Sequence, residues 1–146
     1  MTDFRQASVA EANALYKSAE YSGRAGPDDL LPGLFSSDGE LICVARLRKS
    51  KAHNASDYFF LRNLCTLRSM RNQGLAHQLC SQILAQTQIP VYLFPVPGLT
   101  GFYQSAGFNQ IIATELPSDL ASQWQKAKKH LPGVLPMKFA PGEERQ

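Results

Sequence analysis

The stretch Leu64-Cys65-Thr66-Leu67-Arg68-Ser69-Met70-Arg71-Asn72-Gln73-Gly74-Leu75-Ala76 decides the reading of this chain. Its first residues close a run that begins at Tyr58-Phe59-Phe60-Leu61. So dense an apolar and aromatic run reads as a central strand covered on both faces. Beyond it the spacing becomes helical. Leu75, Ala76, Leu79, Cys80, Ile83 and Leu84 fall on one stripe, and His77, Gln78, Ser81 and Gln82 take the opposite face. The spacing predicts a helix from near Gln73, and Pro90 ends the unit. A turn thus joins the end of a buried strand to the start of a helix.

Such a junction suits an anion. The first N–H groups of a helix have no partner inside it, and they lie at the positive end of its dipole. Gly74 removes a side chain that would stop a pyrophosphate from approaching. Ala76 keeps the next position small, and Arg71 adds a permanent charge with a fork of donors. Alone, an Arg-x-x-Gly-x-Ala string is equally an ordinary helix start. It is neither a Walker loop, which needs Gly-Lys-Ser/Thr, nor a dinucleotide turn, which needs a second spaced glycine.

Working toward the N-terminus, residues 48–57 are polar and basic and read as a loop. Glu40 to Leu47 reads as a strand, entered through an Asp38-Gly39 turn, with Leu34-Phe35 as the other arm of a hairpin. Residues 20–36 are irregular, with Gly23, Gly26, Pro27, Pro32 and Gly33, and a short second helix is expected over Asp28 to Leu34. Ser8-Val9-Ala10-Glu11 forms a capping box that starts a helix running to about Ser18, and Phe4 to Ala7 is a first strand.

Working toward the C-terminus, Val91 to Phe94 is a short buried strand and Pro97-Gly98 a turn. Thr100 to Ala106 forms a short helix with Gly107 as its cap, and Phe108 to Ala113 returns as a strand. Ser118 caps a last helix whose stripe is Leu120, Trp124, Ala127 and Leu131, with Lys126, Lys128, Lys129 and His130 in its final turn. Leu135 to Phe139 is a final strand, and residues 141–146 are a frayed tail. The order predicts a mixed α/β sheet with helices on both faces, in a single domain over 1–140.

The bulk numbers agree. At 146 residues the chain suits one domain, and 44% apolar with 18% charged residues is a globular composition. A domain of this size buries about 68–70% of its unfolded surface and needs no disulfide or metal. A net charge of +3 suits an anionic ligand. No concentrated basic stripe interleaved with aromatics argues for nucleic acid. Cys43, Cys65 and Cys80 lie in apolar stretches and read as small buried hydrophobes, which points to a cytoplasmic setting. His53, His77 and His130 share no ligand spacing, so no metal is expected. No run is long enough to span a membrane, and Met1 to Arg5 lacks a signal-peptide core, so the sequon Asn54-Ala55-Ser56 is set aside.

A second signal follows some thirty residues on, in Gly101-Phe102-Tyr103-Gln104-Ser105-Ala106-Gly107-Phe108. An aromatic-Tyr pair opens the helix and Gly-Phe closes it; by themselves these residues are equally core. Together, Arg71, Gly74 and Ala76 with Phe102, Tyr103, Gly107 and Phe108 resemble the two motifs of the GNAT superfamily of acetyl-CoA-dependent N-acetyltransferases, and the order of elements agrees along nearly the whole chain. The resemblance implies a mixed, mostly antiparallel sheet of six to seven strands, with a splay between two central parallel strands, here 58–66 and 91–94. It implies acetyl-CoA as cosubstrate, with no metal. The amides of Asn72, Gln73, Gly74, Leu75 and Ala76, beside Arg71, would hold the pyrophosphate. Leu64, Cys65, Thr66 and Leu67 would pair with the pantetheine arm, Phe102 and Tyr103 would line the cofactor, and Tyr103 would be the general acid. A phenol of pKa about 10 can protonate a leaving thiolate of pKa about 8.5 without ionising first. An N–H near Leu64 to Thr66 would stabilise the oxyanion. A homodimer is a family-level expectation.

Two departures stand out. Where the family often has Asn seven residues before the Tyr, this chain has Val96. Where many members carry a Glu base on the central strand, Phe60, Arg62 and Leu64 are no bases; Asp57, Glu20, Glu115 or a water relay are the candidates. Tyr21, Arg24, Asp28 and Asp29 fall where the family's acceptor site often lies. Arg62 either favours a carboxylate-bearing acceptor or pairs with a nearby carboxylate as structural glue. Arg46, Arg48, Lys49 and Lys51 are read as solvated, with contact to adenosine phosphates as the alternative. The acceptor is read as a small-molecule or amino-acid-like amine. A peptide amine, or a non-catalytic CoA-binding regulatory module, is the alternative.

Overall fold

A computed structural model describes residues 1–50 and 56–142. Lys51, His53, most of the sequon and the last four residues of the tail lie outside them; Pro141 and Gly142 form a turn. The chain divides into two compact units. The first comprises Met1–Arg48 and Leu61–Gln86, and the second the described residues within Lys49–Phe60 and Thr87–Gln146.

The first unit holds β1 (Asp3–Gln6), α1 (Val9–Ser18), β2 (Pro32–Phe35), β3 (Leu41–Lys49), most of β4 (Phe59–Thr66) and α2 (Leu75–Gln86). α1 begins at the expected capping box: Ser8 Oγ accepts from the Glu11 N–H at 3.0 Å, and Glu11 Oε1 accepts from the Ser8 N–H at 2.9 Å. The Leu34-Phe35 hairpin arm is β2, antiparallel to β3, with a register shift between Leu34 and Phe35. That shift puts Leu41 on the same face as Val44 and Phe35, where all three pack with Ala12, Leu15 and Tyr16 of α1. Cys43 points the other way, toward Cys80 of α2. The two helices therefore cover opposite faces of β3, and Leu41 to Ala45 are all buried.

The expected helix over Asp28 to Leu34 does not form. Leu30 exchanges backbone hydrogen bonds with Leu47, each 2.9 Å. Pro32 further disfavours helical backbone at Leu31. The basic residues Arg48 and Lys49 likewise belong to β3 rather than to a loop. β4 is also less covered than its composition suggests: Leu61 and Cys65 are buried, but Arg62 is exposed and the rest are half-buried.

The second unit holds the start of β4, then β5 (Val91–Leu93), α3 (Thr100–Ala106), β6 (Asn109–Gln110), α4 (Ser118–Ala127) and β7 (Met137–Phe139). β4 pairs in parallel with β5 through Phe59–Val91 and Phe60–Tyr92, and β4 runs on to Thr66. β7 lies antiparallel between β5 and β6, so the seven strands take the order β1-β2-β3-β4-β5-β7-β6. Tyr92 packs with Tyr58, Leu120 and Trp124, while Phe139, opposite Val91 on the other face, meets Phe108. Of the strand expected over Phe108 to Ala113, Asn109–Gln110 pairs, and a 3-10 turn follows at Ala113–Glu115. The N-cap of α4 is Pro117 rather than Ser118. α4 ends at Ala127, because tight i→i−3 bonds at His130 and Leu131 lead into Pro132, so only Lys126 of the four basic residues sits in the last turn.

Candidate functional site

In the first unit, the turn from β4 to α2 is built on two left-handed residues. Asn72 has φ 65° and Gly74 φ 77°, a region glycine enters at no steric cost. The first intrahelical bond runs from the Gln78 N–H to the Gly74 carbonyl at 3.0 Å. The N–H groups of Leu75 and Ala76 precede it and have no acceptor within the helix. A Cβ built on Gly74 would meet nothing within 4 Å, so the space before the helix start is open. Arg71, Asn72, Gln73 and Gly74 are exposed, Leu75 is buried and Ala76 half-buried.

The strand end is already partly engaged. The Leu67 N–H donates to Ile42 at 2.8 Å. Arg71 folds back, and its Nε donates to the Thr66 carbonyl at 3.3 Å. Thr66 Oγ1 and Cys43 Sγ lie 3.4 Å apart. Burial raises all three thiols above the ordinary range, Cys43 to about 11 and Cys80 to about 12; for Cys65 the nearby Arg71 opposes the rise.

Sequence reasoning missed Asn63. It sits inside β4 with φ 54°, where an extended value is the norm. Its neighbours hold it there. Its carbonyl accepts from the Tyr16 hydroxyl at 2.7 Å, and its Oδ1 accepts from Arg46 Nη1 at 2.7 Å. Gly23 is pressed against it: a Cβ there would fall 2.8 Å from Asn63 Cγ and 2.9 Å from Tyr21 Cε1. The only sequence signal is the residue type, since Asn tolerates left-handed backbone better than its apolar neighbours.

Asp29 organises the polar side of this region. Its side chain is wholly buried, accepts from the Gly26 N–H at 2.8 Å, and pairs with Arg46 at 2.9 Å and Arg48 at 3.2 Å. Burial pushes its carboxyl up, but the Gly26 N–H and the two guanidiniums outweigh burial and hold it below the usual range. Arg62 gains no such partner: among the described residues none forms an ion pair or hydrogen bond with it. Tyr21, stacked on Tyr16 at 5.4 Å, and Arg24 are exposed.

In the second unit, Tyr103 is buried and makes edge contacts with Phe102 at 5.0 Å and Phe108 at 5.9 Å. α3 ends at Gly107, φ 121°, which turns the chain into Phe108. Of the candidate bases, Glu20 pairs with Arg68 at 3.5 Å and Asp57 with Lys49 at 3.7 Å, all four side chains well exposed; Glu115 is also exposed. Among the described residues no three His, Cys, Asp or Glu side chains gather as a metal site, and no helix is long and apolar enough to cross a membrane.

No family model matches the chain, and no curated protein matches its sequence. Solved structures do match its fold. N-acetylglutamate synthase from Neisseria gonorrhoeae, complexed with coenzyme A and L-arginine, superposes with a TM-score of 0.71 at 13% identity over 97% of this chain. The match covers 34% of that protein, so this chain spans about a third of its length. A GNAT-family acetyltransferase from Staphylococcus aureus gives 0.61 at 12% identity, over 96% of this chain and 99% of that one. The Bacillus subtilis N-acetyltransferase YlbP, in complex with coenzyme A, gives 0.59 at 15%, over 99% and 100%. The mixed sheet of seven strands with four α-helices among the described residues is the GNAT fold.

Proposed function

We propose that this chain is an acetyl-CoA-dependent N-acetyltransferase that acetylates the primary amine of a small, amino-acid-like acceptor. One observation carries the reading: β4 feeds, through left-handed Gly74, into a helix start with open space before it. Structural neighbours that bind coenzyme A share this fold. In this reading the amides of Gly74, Leu75 and Ala76 hold the pyrophosphate, where backbone donors and the helix dipole favour negative charge. Arg71 releases the Thr66 carbonyl when it turns to the phosphates, and that carbonyl becomes available to the pantetheine arm.

The acceptor amine adds to the thioester carbonyl, forming a C–N bond and placing charge on the oxygen. The left-handed turn at Asn63 redirects the backbone, and the following N–H, that of Leu64, donates to this oxyanion. Such a donor is worth about 10²–10³ in rate. The C–S bond then breaks. The departing sulfur takes a proton from the Tyr103 hydroxyl, and the ammonium proton passes through water to the resulting phenolate. The second proton transfer restores the phenol.

Calorimetry with acetyl-CoA tests this. The expected result is one-site binding by the wild type and none by Gly74→Glu, whose carboxylate would enter the space left for the pyrophosphate. Equal affinity in the variant removes the pyrophosphate assignment.

A further inference from the structure

The polar side of the first unit gathers three arginines around one buried carboxylate. Arg46, Arg48 and Arg62 share one buried carboxylate, Asp29, which already pairs with Arg46 at 2.9 Å and Arg48 at 3.2 Å. Of these three cations, Arg62 is the one with no ion pair or hydrogen bond among the described residues. The forces on Arg62 agree with this. Desolvation weakens its charged form first, the Arg46 and Arg48 guanidiniums weaken it further, and Asp29 and then Tyr21 only partly offset them.

A guanidinium facing two like charges, on a strand whose other residues are mainly apolar and aromatic, gains no partner from the fold. A hydrocarbon side chain there would avoid the repulsion from Arg46 and Arg48. The arrangement gains when an anion arrives, because a carboxylate meets a bidentate fork with no competing acceptor. Asn63 and Asp29 hold Arg46 from two sides, so the Arg46 guanidinium is already fixed in place. Arg62 lies two residues before Leu64, at most about 7 Å along a strand. A molecule whose amine is a few bonds from its carboxylate spans that distance.

We infer that Arg62, flanked by Arg46 and Arg48, binds the carboxylate of the acceptor, so that the acceptor is a free amino acid or a closely related amino carboxylate. This rests on the acetyltransferase reading and deepens it. A free α-carboxylate is absent from a peptide N-terminus and from a simple amine, so both are disfavoured as acceptors.

The test holds acetyl-CoA fixed and compares free amino acids with their amides and with the corresponding decarboxylated amines, reading released CoA thiol. The wild type is expected to favour the carboxylate form of its best acceptor by about 10–100-fold in kcat/KM, the range of one charge-assisted pair. Arg62→Met should lose that preference through KM with kcat little changed, and Arg62→Lys should recover part of it. Because Arg62 pairs with no described residue, Arg62→Met should hold or raise the Tm; a purely structural arginine would lower it. The inference is overturned if amides, amines or peptides are used as well as free acids, if Arg62→Met keeps the preference, or if acetyl-CoA binds and no amino carboxylate is acetylated. Failure of the wild type to bind acetyl-CoA in calorimetry is a different outcome: it removes the acetyltransferase reading, and this inference with it.

Discussion

Replacing Asn63 by Ala and by Gly separates what its side chain does from what its backbone does. Both changes remove the 2.7 Å bond from Arg46 to Oδ1. A hydrogen bond to a charged group is worth about 1.5–3 kcal/mol, so both variants should be less stable than wild type by roughly that amount. They differ at φ 54°. Ala in the left-handed region costs about 1–2 kcal/mol. Gly avoids that cost but is about 0.5–1 kcal/mol worse in unfolded-chain entropy. The expected order is wild type, then Asn63→Gly, then Asn63→Ala, with the variants about 1 kcal/mol apart. Urea denaturation with a common m-value measures it. The same backbone carries the Leu64 N–H assigned to the oxyanion, so the Gly variant should also keep more turnover than the Ala variant. An Ala variant as stable as the Gly variant, or more so, would refute the claim that Asn63 is held left-handed against its preference.

Asp29→Asn should cost about 3 kcal/mol, since it leaves Arg46 largely buried without its charge partner. Asp29 is held below the ordinary carboxyl range, so its contribution is present above about pH 4 and is lost as pH falls through the lower folded value. Over that acid range the wild-type stability curve should fall more steeply than the variant's. The thiols have the opposite sign. Cys43 and Cys80 are raised to about 11 and about 12, so their contribution is full below the unfolded thiol value of about 8.5 and is lost as pH climbs through the folded values. At pH 8 a thiol reagent should leave Cys43 and Cys80 of the folded protein untouched and label all three cysteines in urea. Tyr103→Phe should lower turnover by about 10²–10⁴-fold with acetyl-CoA affinity nearly unchanged. An unchanged rate would remove Tyr103 as the acid.

Features that depend on local chemistry were legible in the sequence. The capping box at Ser8 and Glu11, the hairpin turn at Asp38-Gly39 and the stripe of α2 each follow from residues a few positions apart. Features that depend on distant partners were not. The helix expected over Asp28 to Leu34 loses to backbone bonds between Leu30 and Leu47, seventeen positions along the chain. Arg48 and Lys49 read as loop, yet Arg48 lies on β3 and reaches Asp29, nineteen residues earlier. Asn63 follows Arg62 in a strand otherwise mainly apolar, and beyond its residue type only its backbone angle reveals the left-handed turn. The open position at Gly74 was expected for ligand clearance. The structure adds a second requirement, because φ 77° itself calls for glycine.

Incubating the protein with acetyl-CoA and a panel of amines, while following both released CoA thiol and acetylated product by mass spectrometry, tests the central claim most directly. Thiol and N-acetyl product are expected in equal amounts with at least one acceptor, with loss of both signals in Gly74→Glu. Thiol release without acetylated product, or a Gly74→Glu variant as active as wild type, would contradict it.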